Sequence, residues 1–563
     1  MFPKGLIFRS LLLLAGALPM FAQSGPAVWT VPSLRRVGMF DAPGYAPQAQ
    51  LYSAQNAYTA FQIAVNGGPG GLANVNLALS DLQGPGIISA SSYNPYVEGY
   101  VYVNQSSPNW GGSNQPLGAG WYADSLIPFK DPATGAPLNN QAAGGVPITV
   151  PPGQNRVFWV DLLVPQGAPP GQYSGTFTVT SSQGAFTGNI SLTVWNFALP
   201  ATPSFKSAFL FWTSGNLASQ EELIRHRLMP ATVSPADEQT LMAMGLNAAG
   251  VGPFSGASAG DCNMSAPPSV EQFRASAAAQ QPGLFLYDYS ADEITGCTNL
   301  FGSIVAWARN MHAAGINNLV TMAPTPALFN DGTGTGRSAV DIWVMLPLEY
   351  DANLGNVQQA LAKGDQAWSY NTLVQDSYSP KWEIDFDPIN FRIQPGFLSQ
   401  SLGLTGLLYW RVDDFTSNPW SNPNNQGWFS SNNYPGEGML VYPGANVGLN
   451  QVVPSMRLKW IRDGVEDYEY LQILKQSNPA LATQIANSVG ASWSNWTRDA
   501  NAIEQARIQA GNAIQAAVGA PAAAPAPTPV STPAPTAPPT PVPAPAPPPS
   551  CTTLLWILGR CVP

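Results

Sequence analysis

From about residue 205 to residue 410 the chain repeats one pattern, a short apolar run followed by a turn or a helical stretch. Ser207-Ala-Phe-Leu-Phe-Trp212, Gly245 to Val251, Gly283-Leu-Phe-Leu-Tyr-Asp288 and Asn318-Leu-Val-Thr-Met322 are four such runs. Val340-Asp-Ile-Trp-Val-Met345, Ala367-Trp-Ser-Tyr370 and Gly406-Leu-Leu-Tyr-Trp410 are three more. Helical stretches lie between them, Ser303 to Ala314 stopped by Gly315 and Asn353 to Lys363. Strand–helix–strand units of this length require a parallel sheet, because a parallel neighbour is reached only by a crossover. The number of units predicts a (β/α)8 barrel rather than an open sheet, with the eighth strand expected between 253 and 282.

The segment 24–203 obeys a different rule. Val157-Phe-Trp-Val-Asp-Leu-Leu-Val164, Tyr173-Ser-Gly-Thr-Phe-Thr-Val-Thr180 and the alternating Ile190, Leu192 and Val194 are separated by Gly/Pro turns. Short alternating strands of this kind predict a β-sandwich. The fold expected is therefore multidomain β and α/β, with a barrel over 204–518 that ends in helices. The last of these include Ser455 to Lys475, where Arg462 and Glu466 sit four apart as an exposed pair would. Residues 519–550 are almost all Pro, Ala, Thr, Val and Ser, an extended linker, and 551–563 form a short tail.

Residues 1–23 read as a signal peptide: Lys4 and Arg9 precede the apolar Leu11 to Leu18, and Phe21-Ala22-Gln23 suits cleavage. The expected location is secreted or periplasmic, with no transmembrane segment in the mature chain. The four cysteines then pair most simply as Cys262–Cys297 and Cys551–Cys561. Charge excludes more than it suggests. Only 10% of residues are charged and the net charge is −10, so no basic footprint for nucleic acid exists. His226 and His312 are the only histidines. They are read as structural, since no G-x-S-x-G elbow accompanies them and a catalytic zinc commonly takes two or three His. Gly332-Thr-Gly-Thr-Gly-Arg337 lacks the Lys-Ser/Thr of a phosphate loop and is read as a flexible loop on the active face. No cofactor is expected.

Sugar cleavage needs two carboxyl-type functions and aromatic faces, without metal or His. Tyr287-Asp-Tyr-Ser-Ala-Asp-Glu-Ile294 ends a predicted barrel strand on the side where barrel active sites lie. Asp292 and Glu293 are adjacent there, so mutual repulsion favours a proton on one of them. An N-cap or a solvated loop would explain an Asp-Glu dipeptide equally well. Candidate substrate contacts are Tyr287, Asp288, Trp343, Trp368, Tyr370, Trp410 and Asp413. Strand aromatics such as these, and Trp212, also serve as core, and Asp413 could instead cap the following segment.

Two long runs carry a resemblance: Gly436-Glu-Gly-Met-Leu-Val-Tyr-Pro-Gly444, and Pro454-Ser-Met-Arg-Leu-Lys-Trp-Ile-Arg-Asp-Gly-Val-Glu-Asp-Tyr-Glu-Tyr-Leu471. Together with Ala60-Phe-Gln62, Trp121 to Pro128 and Pro170 to Gly175, they resemble glycoside hydrolase family 123 and its uncharacterised relatives. That resemblance spans roughly 30 to 480 and implies a β-sandwich followed by a catalytic barrel. It implies a retaining β-N-acetylgalactosaminidase that uses its substrate's own acetamido group. Glu293 would be the general acid/base, and Asp292 would orient the 2-acetamido group and stabilise the oxazolinium. Tyr370 would bond the acetamido oxygen and Trp410 would floor the pocket. The sequence departs from many relatives just after the pair, where Ile294 stands instead of Pro. The substrate expected is an oligosaccharide or glycoconjugate. Two alternatives stay open: a glycosidase for another sugar with Asp288 or Asp413 as partner acid, or a non-catalytic carbohydrate-binding or surface protein on the same fold.

Overall fold

The computed structural model describes residues 25–44, 46–425 and 432–519, with the short strands Leu555–Ile557 and Arg560–Val562. The expected signal peptide, most of the linker and the Cys551–Cys561 pairing lie outside the described residues.

Two sheets occupy the N-terminal third. One runs Ala27–Pro32, Tyr58–Asn66, Asn155–Leu163, Tyr93–Val103, Gly120–Pro128, antiparallel throughout. The other is built on Gln48–Gln55, Gly184–Ala198, Gly171–Ser181, Leu72–Leu79 and Ile148–Val150. Phe61, Ile63, Phe158 and Val160 of the first share a buried cluster with Leu51, Phe177, Ile190 and Leu192 of the second. The period-2 alternation read in the sequence is the alternation of that shared face against the outer faces.

The barrel sheet follows. Its strands are β1 (Lys206–Phe209), β2 (Ala248–Gly250), β3 (Phe285–Asp292), β4 (Asn317–Thr321), β5 (Ile342–Met345), β6 (Gln366–Tyr370) and β7 (Gly406–Tyr409). All seven are parallel and pair in the order β2-β3-β4-β5-β6-β7-β1. The barrel is nearly closed. Across the gap between β1 and β2, Phe209 N–H donates to Met229 O, Ala231 N–H to Phe209 O, and Gly250 N–H to Ala231 O. The gap is bridged at 229–231, and within 253–282 the two-residue strand Ala257–Ser258 pairs parallel with the end of β3, opposite Ala291 and Asp292, ahead of the helix Val270–Ala278. Pro230 has no N–H to give a ladder, which keeps this segment from reading as a strand.

Alternate strand residues fill the lumen: Ala208, Ala248, Tyr287, Leu319, Ile342, Val344, Trp368, Tyr370 and Leu408 form one cluster, with Phe285 and Tyr289 packed on it. The long helix Met456–Ser477 clamps the barrel to the N-terminal sheets. Arg457 Nε bonds Asp124 at 2.8 Å, and Asp161 receives Arg462 at 2.8 Å and Lys459 at 2.7 Å. Ala54 N–H donates to the Tyr470 hydroxyl, and Tyr58 N–H to Glu466. Arg462 and Glu466 are thus not an exposed pair: both are fully buried at this junction. Charges taken out of water need such partners, and the partners come from the other half of the chain.

The glycine-rich loop also differs from expectation. Arg337 bonds Asp341 and Asn317, and Lys363 donates to Gly336 O. Asn317 opens β4, Asp341 precedes β5 and Lys363 precedes β6, so the loop lies at the amino ends of the strands, away from the active face. Among the described residues no helix is long and apolar enough to cross a membrane.

Candidate active site

The acidic pair owes its aim to a bulge. On β3 the odd-numbered Phe285, Tyr287 and Tyr289 turn into the lumen. The pairing with β4 then slips: Tyr289 faces Leu319, but Ala291 faces Val320. One extra residue, Ser290, reverses the alternation. Ala291 accordingly packs in the outer cluster, and Asp292 returns to the lumen side at the strand's carboxyl end. Without the slip, strict alternation would point Asp292 outward.

Three hydroxyls organise the pair. Tyr289 Oη donates to Asp292 Oδ1 at 2.7 Å and Thr321 Oγ1 donates to the same oxygen at 2.8 Å. Thr321 Oγ1 also accepts Glu293 N–H at 2.6 Å. Tyr370 Oη donates to Glu293 Oε1 at 2.8 Å. Glu293 sits at φ +55°, a left-handed conformation that costs a branched or long side chain about 1–3 kcal/mol and persists only where surroundings hold it. Both carboxylates remain half-buried, reachable from the open end of the barrel. Just beyond them the disulfide Cys262–Cys297 ties the loop that follows the pair to the segment after Ala257–Ser258.

The remaining candidates divide. Tyr370 stands at the acids, as described. Trp410 lies against Trp212, with ring centroids 5.8 Å apart, and its Nε1–H donates to Glu437 at 2.6 Å. Tyr287 and Trp368 touch edge to face in the lumen, 6.0 Å between centroids. Trp368 bonds Gln366 at the amino end of β6, so it is core beneath the site. Asp288 and Trp343 are not brought to the site. Asp288 faces Gly252 beside Phe273, where burial pushes its carboxyl up to about 8, and Trp343 reaches outward to Asp365 and Phe329. Both fall on the outward parity of their strands. Asp413 is buried and accepts from the backbone of Trp212, Thr213 and Ser214. Burial raises its carboxyl, but these bonds win and hold it below the usual carboxylate range. It fastens the loop after β7 to the loop after β1.

Several residues were not singled out. Thr321 and Tyr289 join the pair only through the fold. Glu437, within the Gly436–Gly444 run, also accepts from Thr372 Oγ1 at 3.0 Å and Leu373 N–H at 3.1 Å, so it braces both Trp410 and the turn after β6. Burial raises its pKa. Glu383 is buried nearby, raised by burial and then by the charge of Glu437. The long run around Glu437 was the available signal. His312 bridges Asp331 and Asp341, and His226 bonds Glu222 O, both away from the acids. Among the described residues no group of three His, Cys, Asp or Glu is arranged to hold a metal ion.

Residues 338–474 match the family model described as glycoside hydrolase 123, catalytic domain. The barrel thus resembles glycoside hydrolase family 123. The match includes Tyr370, Trp410, Glu437 and most of the clamping helix but stops short of Asp292 and Glu293. A solved family 123 glycoside hydrolase from Clostridium perfringens, described in a study of glycolipid glycan hydrolysis, is 13% identical with a TM-score of 0.62. The alignment covers 88% of this chain and 97% of that one. At that identity the likeness establishes the fold. A putative alpha-galactosidase from Bacteroides fragilis (11% identity, 70% and 67% coverage, TM-score 0.21) and a beta-glucuronidase from Parabacteroides merdae (8%, 73% and 50%, 0.25) are too distant to carry any argument. No curated protein matches the chain. The family match supports a glycoside hydrolase.

Proposed function

We propose that the chain is a secreted, retaining glycoside hydrolase for β-linked N-acetylhexosaminides, N-acetylgalactosaminides first, working by substrate assistance. The observation that carries this reading is the adjacent pair at the carboxyl end of β3, each acid held by its own hydroxyl partners. Neighbours on one strand end cannot flank a glycosidic bond from opposite sides, as an acid and a protein nucleophile must. They can serve one face together. In this scheme the substrate's acetamido oxygen attacks C1 as Glu293 gives its proton to the departing oxygen and the C1–O bond breaks. Asp292 takes the acetamido N–H in a hydrogen bond and stabilises the positive oxazolinium. Glu293, now a carboxylate, removes a proton from water as that water attacks C1 and opens the ring, so the anomeric configuration is retained.

Tyr370 and Trp410 would bound the pocket for the N-acetyl sugar. The N-terminal sheets are read as a β-sandwich over 24–203, and Met229–Ala231 as the eighth rung of a (β/α)8 barrel over 204–518. A thiazoline mimic of the oxazoline intermediate tests the mechanism. It should inhibit hydrolysis competitively, with affinity well above that of the substrate. Hydrolysis indifferent to it would move the reading to a glycosidase with a protein nucleophile.

A further inference from the structure

The segment 104–118, between two strands of the N-terminal antiparallel sheet, crosses to the barrel's active face. Ser107 bonds Asp385 through its N–H and its hydroxyl, at 2.8 and 2.6 Å. Asn114 donates to Ser379 O and Asn390, and Leu117 N–H donates to Asp385 O. Asn433, in the loop after β7, donates to Gln105 O. Gly112, at φ +72°, comes so close that an added Cβ would lie 2.5 Å from Ser377 O. The loop is thus fixed on the turns after β6 and β7.

At its tip stands Trp110. Its indole N–H donates to Val374 O at 2.9 Å, while 49% of the residue stays exposed. A tryptophan with its polar edge satisfied and its ring left in water is a platform lacking its load; such rings suit the apolar face of a sugar. Its position fits that use. Val374 follows Tyr370 by four residues, so Trp110's anchor lies within about 14 Å of the residue that bonds Glu293. Leu373 and Val374 cluster with Tyr434 and Trp410, and Trp110 is anchored on that same turn through Val374 O. Glu293 is the group that faces a departing oxygen in the proposed reaction, and Tyr370 and the turn behind it lie on that acid's side.

We propose that Trp110 is a specificity-determining residue that stacks on a sugar of the leaving group, making a neutral oligosaccharide extended beyond the cleaved bond the preferred substrate. This rests on the reading of Glu293 as the acid. The N-terminal domain would then complete the substrate site as well as support the barrel.

The test compares 4-nitrophenyl 2-acetamido-2-deoxy-β-galactoside with a neutral tetrasaccharide ending in β-linked N-acetylgalactosamine. In Trp110→Ala the ratio of kcat/KM for tetrasaccharide over aryl glycoside should fall about tenfold or more, through KM, and Trp110→Tyr should restore most of it. An unchanged ratio, or an equal loss on both substrates, would overturn the proposal, the latter because it marks a role in docking the loop alone. If the wild type turned over neither substrate, the glycosidase reading would fail separately. Calorimetric binding of the tetrasaccharide would then decide: at least tenfold weaker binding to Trp110→Ala supports the platform, and equal or absent binding overturns it.

Discussion

Two acid-rich stretches of this chain, Asp292-Glu293 and the helix Met456–Ser477, have opposite environments. The helix and its partners bury carboxylates against cations, as where Asp161 takes Arg462 and Lys459, and Asp467 takes Arg392 and Arg507. Burial pushes Asp161 up, yet Arg462 and Lys459 hold it well below the usual carboxylate range. Acids so neutralised have nothing left for a substrate. Asp292 and Glu293 instead take hydrogen bonds from Tyr289, Thr321 and Tyr370, hydroxyls that orient a carboxylate, and they stay half-buried. On the proposed mechanism, the difference separates residues that make the fold from residues placed to react. The family match covers most of the helix and omits the pair, so the most recognisable acids are the least able to do chemistry.

Glu293→Gln should lower kcat on a glycan with a poor leaving group by about 10²–10⁴-fold, with the melting temperature nearly unchanged. A loss that tracked unfolding would return the pair to a structural role. Asp161→Ala should do the reverse. Leaving Lys459 buried without its acid, and Arg462 with Asp463 alone, should cost about 3–5 kcal/mol in denaturant unfolding, while kcat of the folded fraction holds. Tyr370→Phe removes one hydrogen bond to a carboxylate and should lower kcat about 10–100-fold in steady-state kinetics.

A stability effect of opposite sign lies within one strand. Asp288, four residues before Asp292, holds its proton up to about 8 because it is buried. The native state therefore keeps a proton that the unfolded chain loses near its ordinary pKa of about 3.9. Stability falls as pH rises between those values and levels off above 8. Asp288→Asn should remove that fall, giving a gain in melting temperature that grows from pH 5 to pH 8. Its kcat should stay close to that of the wild type.

Much of this was legible beforehand. All seven barrel strands stand where the apolar runs placed them, since buried parallel strands write themselves as short β-rich runs. The Cys262–Cys297 bridge also follows the expected pairing. What stayed hidden depended on parity and on contacts distant in sequence. Strict alternation from Tyr287 would have turned Asp292 away from the lumen, and only the pairing slip at Ser290 corrects it. Thr321 is 29 residues from Asp292 and carries no signal of its own. Arg462 and Glu466 showed helical spacing, but spacing does not reveal that the N-terminal sheets cover that helix. The rung at Met229–Ala231 was masked by Pro230.

The most direct measurement is the hydrolysis of 4-nitrophenyl 2-acetamido-2-deoxy-β-galactoside beside 4-nitrophenyl β-galactoside, by the wild type and Asp292→Asn. The acetamido sugar alone should be turned over, and that turnover should collapse in the variant. Equal turnover of both sugars, or turnover indifferent to Asp292→Asn, would contradict the proposed mechanism.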